Sequence, residues 1–131
     1  MKKILVVDDE MELVQLYRLV LEDAGYDVNG AYNGRQALRL VDEHKPHLIL
    51  LDVMMPGMDG IEVCRQIRDK GDDYSTCKII MYTADDSVET RTSSIEAGAN
   101  DLVSKEVPIY ELTIKIRRYL HQNGTTSVPA N

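Results

Sequence analysis

The stretch from His47 to Gly57 constrains this chain most: Leu48-Ile49-Leu50-Leu51 runs straight into Asp52, and the chain then breaks at Met55-Pro56-Gly57. A short apolar run bounded by turn residues predicts a strand buried on both faces, as in parallel sheets. Pro56 and Gly57 end that strand and force a loop. Asp52 is therefore expected where a buried strand surfaces, the edge at which open α/β sheets bind ligands.

The same pattern recurs along the chain. Lys3-Ile4-Leu5-Val6-Val7 is a second apolar run, and it delivers Asp8-Asp9 at its end. Leu13, Leu16, Tyr17, Val20, Leu21 and Ala24 then recur at helical spacing, with Gly25 as the stop. Asp27 to Tyr32 predicts a weaker strand, polar enough for a sheet edge. Asn33-Gly34 turns into a helix that keeps Ala37, Leu38 and Val41 on one face and ends before Pro46. A third helix from about Asp59 carries Ile61, Val63, Cys64 and Ile67, with Asp59 as its cap, and a polar loop spans Gly71 to Thr76.

Cys77 to Tyr82 predicts a fourth strand ending at Thr83-Ala84-Asp85-Asp86. The helix expected over Ser87 to Ala97 is poor in apolar residues, with Val88, Ile95 and Ala97 standing out. Asp101 to Ser104 is a short fifth strand ending at Lys105. A last helix starts near Pro108 with a stripe of Ile109, Leu112, Ile116 and Leu120. Residues 122–131 read as a frayed tail or the start of a linker.

Strands alternating with helices predict a parallel sheet covered on both faces. The first and third strands are the most apolar and should be central; the polar second strand should lie at an edge. A doubly wound, flavodoxin-like (βα)5 fold with strand order 2-1-3-4-5 satisfies both, with its switch point between strands 1 and 3. Residues 1–121 then form one domain. Asp8, Asp9 and Asp52 leave the two strands that flank that switch point.

The formal charge of −7 argues against direct nucleic-acid binding. No apolar stretch is long enough to span a bilayer or to form a signal-peptide core, so the expected location is the cytoplasm. Cys64 and Cys77 lack metal-ligand spacing and read as reduced core thiols. His44, His47 and His121 show no ligand spacing either.

Every polar residue singled out leaves the same sheet edge: Asp8 and Asp9, Asp52, Thr83 and Lys105. Two carboxylates about 5 Å apart repel by roughly 3 kcal/mol at an effective dielectric near 20. Three in one cleft call for a cation, and hard oxygen ligands without histidine or thiolate favour Mg²⁺. Thr83 and Lys105 are better explained by a phosphoryl group. Asp52 would be the nucleophile forming an acyl phosphate, with Lys105, the Thr83 hydroxyl and the backbone amides of Val53 and Ala84 holding its oxygens. The bland readings are helix caps for Thr83 and for Asp8 or Asp9, the latter with Glu12 completing a capping box.

Val6-Val7-Asp8-Asp9, Leu51-Asp52-Val53-Met54-Met55-Pro56-Gly57-Met58-Asp59-Gly60, Met81-Tyr82-Thr83-Ala84 and Val103-Ser104-Lys105 resemble the receiver domain of bacterial two-component response regulators. The resemblance covers about residues 3 to 121. It implies a phosphoryl group passed from a histidine kinase's phosphohistidine, or from a phosphotransfer protein, onto Asp52. It also implies Mg²⁺ held by Asp9, by Asp8 through water, by Asp52 and by the Met54 carbonyl. Met54 and Asp85 stand where the family tunes hydrolysis of the acyl phosphate. A downstream protein would read the face formed by the fourth helix, fifth strand and fifth helix, and phosphorylation could drive homodimerisation. Two positions depart from the family. Leu102 stands where an aromatic is usual, and Glu106 replaces the usual proline, so a trans bond after Lys105 is expected.

Other functions fit less well. An aspartate-nucleophile phosphatase wants an acid two residues after the nucleophile, and this chain has Met54. A nucleotide or flavin module would show a glycine-rich phosphate loop, which is absent. A degenerate receiver that binds partners without phosphorylation would not need the full set of Asp8, Asp9, Asp52, Thr83 and Lys105.

Overall fold

Alternating side chains from the five strands build two apolar layers, one on each side of a single parallel sheet. The computed structural model describes residues 1–121; the tail expected at 122–131 lies outside the described residues. The strands are β1 (Lys3–Val7), β2 (Asp27–Ala31), β3 (Leu48–Leu51), β4 (Lys78–Thr83) and β5 (Asp101–Ser104). They pair in the order β2-β1-β3-β4-β5, every pair parallel. The helices are α1 (Met11–Asp23), α2 (Gly34–His44), α3 (Gly60–Asp69), α4 (Val88–Glu96) and α5 (Ile109–His121). This is the doubly wound, flavodoxin-like fold expected from the sequence, with β2 and β5 at the edges.

The period of two along each strand assigns the layers. Ile4, Val6, Leu48, Leu50, Ile80, Tyr82 and Val103 face α1 and α5, where Val14, Tyr17, Leu21, Leu112, Ile116 and Leu120 meet them. Leu5, Val7, Ile49, Leu51, Ile79, Met81 and Leu102 face the other way, onto Val41, Val63, Cys64 and Ile67 of α2 and α3 and onto Ala97 at the end of α4. Leu102 is thus a core residue at 3 % exposure.

Caps fix where the helices begin. Asn33 Oδ1 accepts from Gln36 N at 2.8 Å, Asp59 Oδ1 from Glu62 N at 2.9 Å, and Ser87 Oγ from Thr90 N at 3.2 Å. Thr83 is therefore not the cap of α4. In α1 the expected stripe is displaced: Val14 is buried with Tyr17 and Leu21, whereas Leu16 and Ala24 are exposed. Val14, Tyr17 and Leu21 keep i, i+3, i+7 spacing, and Leu16 falls on the flank. In α4, Val88 and Ile95 face outward, and Ser94 is the residue of the helix that is buried.

Two of the histidines that showed no ligand spacing make structural contacts. His47 Nδ1 accepts from Lys3 N at 3.0 Å, and the His121 ring stacks on Tyr26, whose hydroxyl lies 3.1 Å from Nε2. Cys64 and Cys77 are both free and buried. No helix among the described residues is long and apolar enough to cross a membrane.

Candidate functional site

Asp8, Asp52 and Lys105 each stand one position beyond a strand, and the sheet's own ladder continues onto their backbones. Asp8 N donates to Ala31 O at 3.1 Å, Asp52 N to Val7 O at 3.0 Å, and Lys105 N to Thr83 O at 2.9 Å. By strand alternation all three side chains start on the α1/α5 side of the sheet, and they converge there. Lys105 Nζ lies 2.7 Å from Asp8 Oδ2 and 3.3 Å from Asp52 Oδ2.

The loop after Asp52 folds tightly against its own start. Gly60 N donates to Val53 O at 2.9 Å. A β-carbon at Gly60 would collide with the Asp52 carbonyl, so the glycine that opens α3 is a steric requirement of the site. Met54 N donates to Asp52 Oδ1 at 3.3 Å, while the Met54 side chain points outward. Asp8 Oδ1 accepts from Glu10 N at 2.9 Å in a local turn; Glu10 takes the cap position of α1 without a side-chain cap bond. The capping box with Glu12 does not form.

Carboxylate oxygens of Asp8, Asp9 and Asp52 come within 4.8 Å of one another. Asp8 and Asp52 are buried, at 1 % and 6 % exposure, and Asp9 is exposed. Burial pushes the Asp52 carboxyl above the ordinary carboxylate range; Lys105 pulls it down and Asp8 pushes it up further. Burial alone would lower the Lys105 ammonium, but the hydrogen bond to Asp8 and the charges of Asp52 and Asp8 outweigh it and hold the group above the ordinary lysine value. One ammonium therefore faces three acids. That excess of negative charge on hard oxygen donors fits a divalent cation such as Mg²⁺.

A cavity of about 400 Å³ opens above them, lined by Asp9, Glu10, Asp52, Met54, Ala84 and Lys105. Ala84 is among its lining residues, whereas the Val53 side chain is buried in the core on the α2/α3 side of the sheet. Thr83 is fully buried, and its Oγ1 accepts from Asp85 N at 3.2 Å instead of lining the cavity. The bond after Lys105 is trans, as the missing proline led us to expect. Glu10 escaped the sequence reading; the signal was the acidic run continuing one residue past Asp8-Asp9.

The family model for the response regulator receiver domain matches residues 4–117. The chain belongs to this family. The receiver is 42% identical over 120 residues to the response regulator MprA of Mycolicibacterium vanbaalenii, covering 92% of this chain and 51% of that protein. It thus spans about half the length of the curated relatives it matches. Among solved structures, the chemotaxis protein CheY4 of Vibrio cholerae superposes with a TM-score of 0.86 at 32% identity, covering 92% of this chain and 99% of that one. The response regulator TrrA of Thermotoga maritima, solved in complex with Mg²⁺-BeF, gives 0.81 at 38% identity, covering 92% and 100%. Receiver domains are two-component signalling domains, not enzymes in the ordinary sense, and they bind Mg²⁺ at an acidic pocket of the kind Asp8, Asp9 and Asp52 form here.

Proposed function

We propose that this receiver accepts a phosphoryl group on Asp52 from the phosphohistidine of a sensor histidine kinase or a phosphotransfer protein. The observation that carries this reading is the convergence of three carboxylates within 4.8 Å beside the Lys105 ammonium, on an open cavity. In the transfer, an Asp52 Oδ attacks phosphorus. The new P–O bond forms as the P–N bond breaks, and the departing imidazole keeps the electron pair and takes a proton from water. The Lys105 ammonium pairs with the negative oxygens, and the amides of Val53 and Ala84 are positioned by sequence to donate to them. The Thr83 hydroxyl joins them by giving up Asp85 N. Asp8, Asp9, Asp52 and the Met54 carbonyl would hold Mg²⁺, which supplies neutralising charge to the phosphoryl oxygens. Water later hydrolyses the acyl phosphate, so the receiver catalyses only its own phosphorylation and dephosphorylation.

The output is a change of protein contacts. Val88 and Ile95 of α4 and Tyr110 and Ile114 of α5 expose apolar surface beside β5, and this face is where a downstream protein or a second phosphorylated copy would dock. Fed by a kinase of this class, the chain works in the cytoplasm.

Incubation with acetyl phosphate and Mg²⁺ tests the reading. One labile phosphoryl group is expected by intact mass, and none in Asp52→Asn. An unmodified wild-type protein that still binds its partner would make this a phosphorylation-independent module; steady hydrolysis of unrelated phosphomonoesters would make it a phosphatase.

A further inference from the structure

We propose that Tyr82 is a positioning residue for the phosphoryl chemistry: its hydroxyl, bonded to the Val107 carbonyl, holds the loop that carries Lys105. The inference rests on the reading of Asp52 as a phosphoryl acceptor and assigns a role to a residue outside the cavity.

Lys105 is the cation among the residues lining the cavity, and its reach is set by the connection between β5 and α5. That connection is tied at both limbs to consecutive residues of β4. At the near limb Lys105 N donates to Thr83 O at 2.9 Å; at the far limb the Tyr82 hydroxyl donates to Val107 O at 3.2 Å. Between them, Glu106 N donates to Ser104 Oγ at 3.1 Å and Val107 N to Ser104 O at 3.0 Å, which closes a tight turn around Lys105. Glu106 in a trans peptide leaves the backbone rotations of this turn free to vary, so the tethers must supply the rigidity.

Tyr82 is suited to the task because it cannot move alone. It is buried at 4 % exposure, and its ring packs on Tyr17 of α1, with centroids 5.5 Å apart and planes tilted by 58°. Strand alternation puts Tyr82 on the α1/α5 side, the side from which Lys105 reaches Asp8 and Asp52. Thr83, the next residue, lies on the other side. One strand end thus fixes the hydroxyl that turns toward the phosphoryl group and the loop that aims the ammonium.

The test compares Tyr82→Phe, Lys105→Ala and the double variant with wild type, following phosphorylation by acetyl phosphate at saturating Mg²⁺. Tyr82→Phe removes one hydroxyl and should slow phosphorylation about fivefold, the scale of one neutral hydrogen bond. In the Lys105→Ala background the same change should have no further effect, because the tether acts through the ammonium. A full rate in Tyr82→Phe overturns the inference and leaves the Asp52 reading standing, and so does a fivefold loss that persists without Lys105. No phosphate on wild type removes the Asp52 reading itself. If Tyr82→Phe does not fold, Ser104→Ala opens the same turn at Glu106 N, and a folded Ser104→Ala with full rate overturns the inference as well.

Discussion

The Lys105 ammonium lies closer to Asp8, at 2.7 Å, than to Asp52, at 3.3 Å. Both acids are buried, so this cation holds together two carboxylates that would otherwise repel across the switch point of the sheet. It occupies the charge position that a metal ion would contest. In the proposed reaction, resting geometry and phosphoryl chemistry would therefore draw on the same ammonium.

Lys105→Ala should for this reason bind Mg²⁺ more tightly. Removing one positive charge within hydrogen-bonding distance of two of the three acids lowers the competition for them; after solvent screening, a gain of about three- to tenfold in affinity is expected. Titration calorimetry of both proteins at equal ionic strength measures it. Equal affinities would mean that the ammonium stands clear of the ion.

Asp52→Asn should stabilise the metal-free protein at neutral pH. Burial and Asp8 raise the Asp52 carboxyl above its ordinary value despite Lys105, so the folded state holds this proton more tightly than the unfolded chain. Stability from this group is present below the unfolded value and is lost as pH rises through the folded one. At pH 7 the ionised carboxylate is thus a cost that asparagine removes, and thermal melting should rise by a few degrees. The advantage should fade on acidification, where both states of the wild type are protonated. Saturating Mg²⁺ should stabilise the wild type more than the variant.

The thiols offer a pH test away from the site. Burial pushes Cys64 and Cys77 both up to about 11. At pH 8 native protein should react with a disulfide reagent about a hundredfold more slowly than urea-unfolded protein, in which both thiols should react at once. Because the folded values are raised, thiol ionisation favours the unfolded chain, and stability should fall as pH climbs from about 9 toward 11. Rapid labelling of the native protein at pH 8 would show that local opening exposes a thiol.

Strand runs such as Leu48 to Leu51 were legible because burial on both faces leaves no polar residue to confuse the period, and order followed from which runs were most apolar. Asp8, Asp9, Asp52 and Lys105 were legible as a group because each ends a strand at the same sheet edge. Three things were not. Leu16 has the right residue type for the core of α1 but the wrong angle once Val14, Tyr17 and Leu21 set the buried face. The Thr83 hydroxyl turns to Asp85 N, a local competition between backbone donors that spacing cannot decide. Tyr82 read as one more strand residue, because nothing local shows that its hydroxyl finds a carbonyl 25 positions later.

Ser94→Ala should stabilise α4 and stiffen it. Ser94 is fully buried, and its hydroxyl finds no hydrogen-bond partner among the described residues. Val88 and Ile95 point to solvent, so the helix relies on this small side chain and on Ala97 just beyond it for its seat. Its first turn is held instead by polar bonds: Asp85 accepts from Thr90 Oγ1 at 2.6 Å and from Ser87 N at 3.1 Å, while Asp85 N reaches back to Thr83 Oγ1. Were Thr83 to turn to a phosphoryl group, as proposed, that chain would lose its first link, and a helix with so thin an apolar face would have little else to resist a shift. Alanine removes the orphaned hydroxyl and improves helix propensity, together worth about 1 kcal/mol. Hydrogen exchange across Val88 to Glu96 should slow by about fivefold in the variant, and the faster exchange expected on adding beryllofluoride and Mg²⁺ should be smaller than in wild type. Unchanged exchange in the variant would show that α4 is held by contacts other than its buried face.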